Sequence, residues 1–125
     1  MSLTRGYGKI RAAAPFDVIR TYGQVTFGAS GAVTTDSDEN GVWVFAKTAT
    51  GKYTITTTEA YAELMSFSGT PVNTGTVTDA VWQIFTDYVV ATKLVVLSHL
   101  IAGSAADPVS GDVHRFAIDF KVSDL

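Results

Sequence analysis

A chain of 125 residues matches one domain with a single core, and its 46% hydrophobic against 17% charged residues exclude disorder along the whole length. Without cysteine, neither a disulfide framework nor a thiolate metal site can form. The formal net charge of −3 speaks against a general nucleic-acid binder, which needs clustered Lys and Arg to neutralise phosphates.

The β-branched load of 15 Val, 6 Ile and 17 Thr favours pleated sheet over helix. The expectation is an all-β protein, a single antiparallel β-sandwich or jelly-roll-like domain. Residues 1–15 hold Arg5, Lys9 and Arg11, carry no acid, close on Ala12-Ala13-Ala14-Pro15 and show no sustained period. They read as an extended N-terminal arm, with the sandwich over 16–125. Arg11, Asp17 and Arg20 interrupt any apolar run after the basic start, so a secretory signal is not expected.

From Asp17 to Phe27 the pattern suits a strand bent at Gly23, and Gly28-Ala29-Ser30-Gly31 suits a turn. Asp36, Asp38 and Glu39 lead into Asn40-Gly41 and read as a solvated acidic turn. Their order lacks the alternating ligands and distal Glu of a helix-loop-helix calcium site. Val42 to Ala46 places Trp43 and Phe45 on one face, and Lys52 to Thr58 places Tyr53, Ile55 and Thr57 on one face against Thr54, Thr56 and Thr58. Glu59 to Leu64 has a brief helical look and reads as a turn over one end of the sheets. Met65 to Phe67 suits a strand, and Gly69 to Asp79 a long connection or weak edge strand.

Val81 to Val89 puts Trp82, Ile84, Thr86 and Tyr88 on one face. Lys93 to Ala102 is apolar on both faces, with Val95, Leu97 and Ile101 opposite Leu94, Val96 and Leu100, so it needs cover from two sides. Leu94, Val96 and Leu100 are therefore the expected self-association residues. Tyr88 to Ala102, broken by Lys93 and His99, is short of the roughly 20 residues of a membrane helix, so no membrane partner is expected. Residues 103–112 form a long loop rich in turn formers. Val113 to Val122 alternates without interruption, with His114, Phe116, Ile118, Phe120 and Val122 facing one way.

No phosphate-cradling glycine pattern and no Gly-x-Ser-x-Gly turn occurs, so nucleotide and serine-hydrolase chemistry lack a motif. His99 and His114 flank the last loop and, with Asp112, are the one candidate zinc set. Each also lies in an apolar strand face, where a neutral interior ring is the simpler reading. Trp43, Phe45, Trp82 and Tyr88 read as core rather than as a ligand-stacking platform. The expectation is a protein with no catalytic residues, no metal and no cofactor.

The run Gly51-Lys52-Tyr53-Thr54-Ile55-Thr56, then Glu59-Ala60-Tyr61-Ala62-Glu63-Leu64, and the late Ala105-Ala106-Asp107-Pro108-Val109-Ser110-Gly111-Asp112 resemble small structural proteins of tailed bacteriophages. The resemblance spans roughly residues 41–122. It implies a β-sandwich that works as a homotrimer, made in the host cytoplasm and placed on the virion capsid surface. The implied role is that of a capsid decoration (cement) protein contacting the major capsid protein or other virion proteins, with Arg5, Lys9 and Arg11 reaching the shell. The alternative it leaves open is a tail or head fibre or baseplate knob that binds a receptor or glycan.

Overall fold

A computed structural model describes residues 17–38, 41–73, 75 and 77–122. The expected arm at 1–15, with Arg5, Lys9 and Arg11, lies outside the described residues. Among the described residues, nine strands run in chain order: β1 Val18–Phe27, β2 Val33–Asp38, β3 Trp43–Ala49, β4 Lys52–Thr57, β5 Glu63–Val72, β6 Ala80–Val89, β7 Leu94–Ile101, β8 Ser104–Ala105 and β9 Val113–Lys121. They form two antiparallel sheets. The first has the order β2-β1-β9-β5, and the second has the order β3-β4-β7-β6, with β8 paired to β7. The chain is an all-β sandwich.

Alternation decides which side chains meet between the sheets. On β9, His114, Phe116, Ile118 and Phe120 are buried, and on β7, Val95, Leu97 and His99 are buried. Tyr53, Ile55 and Thr57 of β4 and Trp43 and Phe45 of β3 join them. The aromatic rings interlock: Phe45 lies tilted 5.1 Å from Phe116, and Trp82 meets Phe116 at 5.2 Å and Tyr53 at 5.4 Å edge to face. Gly69 of β5 sits opposite Phe116, and a Cβ there would come within 2.7 Å of that ring and 2.8 Å of Trp82. Only glycine leaves room for both rings.

Several segments differ from the sequence expectation. Asp36, Ser37 and Asp38 belong to β2, where Val25, Gln24 and Gly23 of β1 pair with them. Backbone pairing at a sheet edge overrides the turn preference of those residue types. No helix forms at 59–64. There Tyr61 and Leu64 turn inward, Tyr61 stacks at 5.1 Å on Phe120, and the Ala62 N–H bonds to the Lys121 carbonyl. Of the two readings given for Gly69 to Asp79, the edge strand holds as far as Val72: β5 continues through Pro71 at the open edge of its sheet, where a missing N–H is tolerated. On β6 the register shifts twice, between Ile84 and Thr86 and between Thr86 and Val89, so the single inward face expected for Trp82, Ile84, Thr86 and Tyr88 is broken and Ile84 is exposed. The 103–112 loop begins with a two-residue hairpin into β8, at Ala102 and Gly103, both with positive φ as a type I′ turn requires.

Both tryptophans cross the sandwich with a hydrogen bond. Trp43 of β3 donates its indole N–H to Thr21 Oγ1 on β1 at 2.9 Å, and that hydroxyl donates to the Ile118 carbonyl at 2.9 Å. Trp82 of β6 donates to His114 Nδ1 on β9 at 2.9 Å. Both buried indole N–H groups are thereby satisfied across the layer gap. Thr21→Val keeps the shape and removes the acceptor, so it should cost about 1–3 kcal/mol in urea denaturation. A variant within about 0.5 kcal/mol of the parent, the scatter of an ordinary surface change, would contradict this assignment.

Candidate functional site: a buried histidine pair, an aspartate hub and an apolar sheet face

The two histidines come together, as a register across the last loop allows. Their rings lie 5.5 Å apart and are 0% and 1% exposed, His99 on the second sheet and His114 on the first. The tautomers follow from the partners. A carbonyl only accepts, so the contact of His99 Nδ1 with Ala106 O at 2.7 Å makes that nitrogen the N–H. An indole N–H only donates, so His114 Nδ1 carries the lone pair and its proton sits on Nε2. Neither Nε2 has a hydrogen-bond partner. Burial holds both rings below the ordinary histidine value. His99 keeps some opposing pull from the Ala106 carbonyl and Asp107, while His114, pushed further by the neighbouring ring, falls to about 4.

This arrangement fits a metal poorly. With its only lone pair given to Trp82, the neutral His114 ring offers a proton rather than a ligand atom at Nε2. Among the described residues, no group of three or more His, Asp or Glu is placed to hold a metal ion. Asp112 is buried beside β1, where its carbonyl accepts from the Phe27 N–H at 3.0 Å.

A hub that the sequence reading did not single out joins the first and last of the three segments quoted for the resemblance. Asp107 Oδ1 accepts from the Gly51 N–H at 2.9 Å, and Oδ2 lies 3.1 Å from Lys47 Nζ. The Gly51 carbonyl accepts from the His99 N–H at 2.8 Å, and the Ala106 N–H donates to the His99 carbonyl at 3.1 Å. Lys47 Nζ also donates to the Ser30 carbonyl, and the Tyr53 hydroxyl donates to the Gly31 carbonyl at 2.7 Å. Gly31 has φ +70, and a Cβ there would meet Tyr53 Oη at 2.5 Å and Asp107 Cβ at 2.6 Å. Burial works against the Asp107 charge, but the Gly51 amide and the Lys47 ammonium outweigh it and lower its pKa. Burial, with the Asp107 charge adding to it, raises the Tyr53 phenol. Four separate segments are therefore pinned at one end of the sandwich.

The two outer faces differ in kind. On the first sheet, Arg20 grips Asp119 with two bonds of 2.9 and 3.0 Å, Ser66 Oγ adds a third at 3.0 Å, and Arg115 reaches Gln24 at 3.3 Å. The Arg20 bonds first, and the Ser66 bond with them, hold the Asp119 carboxyl below its usual range. On the second sheet, Leu94, Val96 and Leu100 point outward and are half-buried by neighbouring strands, which leaves their outer surface without cover. Val44, Val81, Phe85 and Val89 extend that surface, with Val44 57% and Phe85 63% exposed. A row of Lys52, Ser98 and Gln83 crosses it, and Lys52 Nζ lies 3.9 Å over the Phe85 ring.

Family models, curated proteins and solved structures yield no match to the chain. The bacteriophage resemblance gains no support from them and rests on its own residues.

Replacing Asp107 with Ala leaves the Gly51 N–H and Lys47 without their acceptor and should destabilise the fold by about 1–3 kcal/mol. Amide exchange should quicken at Gly51 and across 103–112 before it does so in β9. Uniform exchange rates across the chain after this substitution would show that Asp107 is no hub.

Proposed function

We propose that this chain is a non-enzymatic structural protein that associates with copies of itself and binds a larger assembly, and that it is a capsid decoration (cement) protein of a tailed bacteriophage. The observation that carries the reading is the contrast between the two sheet faces. Polar side chains on the first sheet pair with one another and tolerate water, whereas the second sheet presents Leu94, Val96 and Leu100 amid exposed valines and Phe85. Burying such a face contributes roughly 25 cal/mol for each Å² of apolar area removed from water. The register shifts along edge strand β6 disfavour edge-to-edge pairing, so a second copy is expected on the face.

The specific form of the proposal is a homotrimer joined through this face, with Arg5, Lys9 and Arg11 reaching the major capsid protein. A protein that binds only the assembled shell stabilises it by RT ln(1 + [L]/Kd), about 2.7 kcal/mol per site at a hundredfold excess over Kd. Many copies multiply the effect.

Light scattering on the purified chain should give three times 13.3 kDa at micromolar concentration. The double substitution Leu94→Thr with Val96→Thr puts a β-branched strand former at both positions and should weaken association about tenfold or more, roughly 1.4 kcal/mol. Unchanged association in a folded double variant would remove this face from the account. Added to undecorated capsids, the parent should co-sediment and a chain lacking residues 1–11 should bind less. Absence of the parent from the pellet would count against the decoration role.

A fibre or baseplate knob is the second reading, and one observation favours it. Exposed Tyr22 stands between two open depressions of about 230 and 240 Å³ on the first sheet, the larger bordered by Arg115 and Gln24 and the other by Ser66, Ser68 and Asp119. An aromatic face among polar groups suits a sugar ring. Saturation-transfer NMR with millimolar N-acetylglucosamine or galactose should mark Tyr22 on that reading, and no transfer would remove it.

A further inference from the structure

We propose that His99, Trp82 and His114 form an acid-sensitive latch between the two sheets. The inference is independent of the decoration role and rests on the hydrogen-bond directions inside the core. Trp82 and His99 belong to the second sheet and His114 to the first, so the Trp82 to His114 bond ties the layers together. His99 in turn holds Ala106 of the last loop.

The Trp82 to His114 bond requires the lone pair of His114 Nδ1, whereas the His99 to Ala106 bond survives protonation of His99. His99 Nε2 bears the one free lone pair, and His114 Nε2–H is a donor without an acceptor. A first proton from solvent therefore adds to His99 Nε2 and breaks no bond, but it creates a buried imidazolium beside a second N–H. A second proton must take the lone pair of His114 Nδ1, which sets two donors face to face and releases the Trp82 indole. Few charges oppose this. The carboxylates of Asp107, from the last loop, and Asp112, before β9, favour protonation of His99 and His114 respectively. Asp107 is shared with Lys47 of β3. From β4, Tyr53 places its ring 5.4 Å from Trp82, and its phenol is neutral across the acid range. From β1, Phe27 packs 5.0 Å from His114 and carries no charge, and from β5 the residue opposite His114 is Pro71.

The sign follows from the depressed histidines. A group that binds its proton more weakly when folded favours the folded state above its unfolded value, and that advantage is lost as pH falls. The window here runs from 6.5 down to about 4. The latch holds at neutral pH and opens in acid.

The chain has only two tryptophans, so its nitrogen-proton NMR spectrum contains two indole signals, assignable with Trp82→Phe. As pH falls from 6.5 to 4, the Trp82 indole signal should shift or broaden while that of Trp43, bonded to Thr21, holds its place. Long-range spectra at neutral pH should show His99 protonated at Nδ1 and His114 at Nε2. His114→Gln supplies a carbonyl acceptor to Trp82 without a titrating group and should flatten the response. The latch is overturned by opposite tautomers, by a Trp82 signal unmoved down to pH 4, or by both indole signals collapsing together. It is equally overturned by a folded His114→Gln variant with the parent's transition. If that variant does not fold, the parent spectra decide.

Discussion

The structure depends on joining two sheets whose inner faces are apolar yet carry polar atoms that water cannot reach. The central strands β7 and β9 supply the opposing walls of that layer, and their alternation places Val95 and Leu97 against a layer that holds Phe116, Ile118 and Phe120. Apolar burial is non-directional and alone would tolerate sliding of one sheet over the other. The indole bonds from Trp43 to Thr21 and from Trp82 to His114 are directional and fix the relative position of the sheets. Leaving any of these groups unpaired costs more than its bond contributes when made.

The two ends of the sandwich are closed differently. At one end a carboxylate, an ammonium and backbone groups around Asp107 hold turns 28–31 and 49–51 against the last loop. At the other, the Tyr88 hydroxyl gathers Thr57 Oγ1 at 2.8 Å and the Tyr61 N–H at 3.1 Å, which ties β4, β6 and the 58–62 connection. With no disulfide available, these side chain to backbone contacts are what order the connections. They leave the outer sheet faces free to differ, one with charged and polar groups paired to one another, the other setting Leu94, Val96 and Leu100 among threonines and exposed valines.

The strands with strict alternation and two well-defined neighbours were legible in the sequence. β9 is the clearest, because every second residue from His114 to Phe120 faces the core, and β4 follows with Tyr53, Ile55 and Thr57. Segments whose state is set by a neighbour's backbone were not legible. β2 contains Asp36 to Asp38, and nothing in those residue types announces that β1 offers them a pairing edge. β6 loses its period to two register shifts, which alternation cannot encode. The histidine pair was visible as a possibility because both residues flank one loop, whereas the tautomers required Trp82 and Ala106. Asp107 escaped notice because its partner Gly51 is 56 residues away, although an Asp-Pro step in a long turn-rich loop was a usable signal.

The central claim is that the outer face of β6 and β7 is covered in the working form of the protein while the outer face of the first sheet stays wet. Methyl NMR in the presence of a soluble gadolinium chelate measures this directly, at assembling concentration. The account predicts weak relaxation of the Val96, Leu94 and Val89 methyls and strong relaxation of Val18, which is exposed on the first sheet. Equal relaxation of the two sets at every concentration would contradict it.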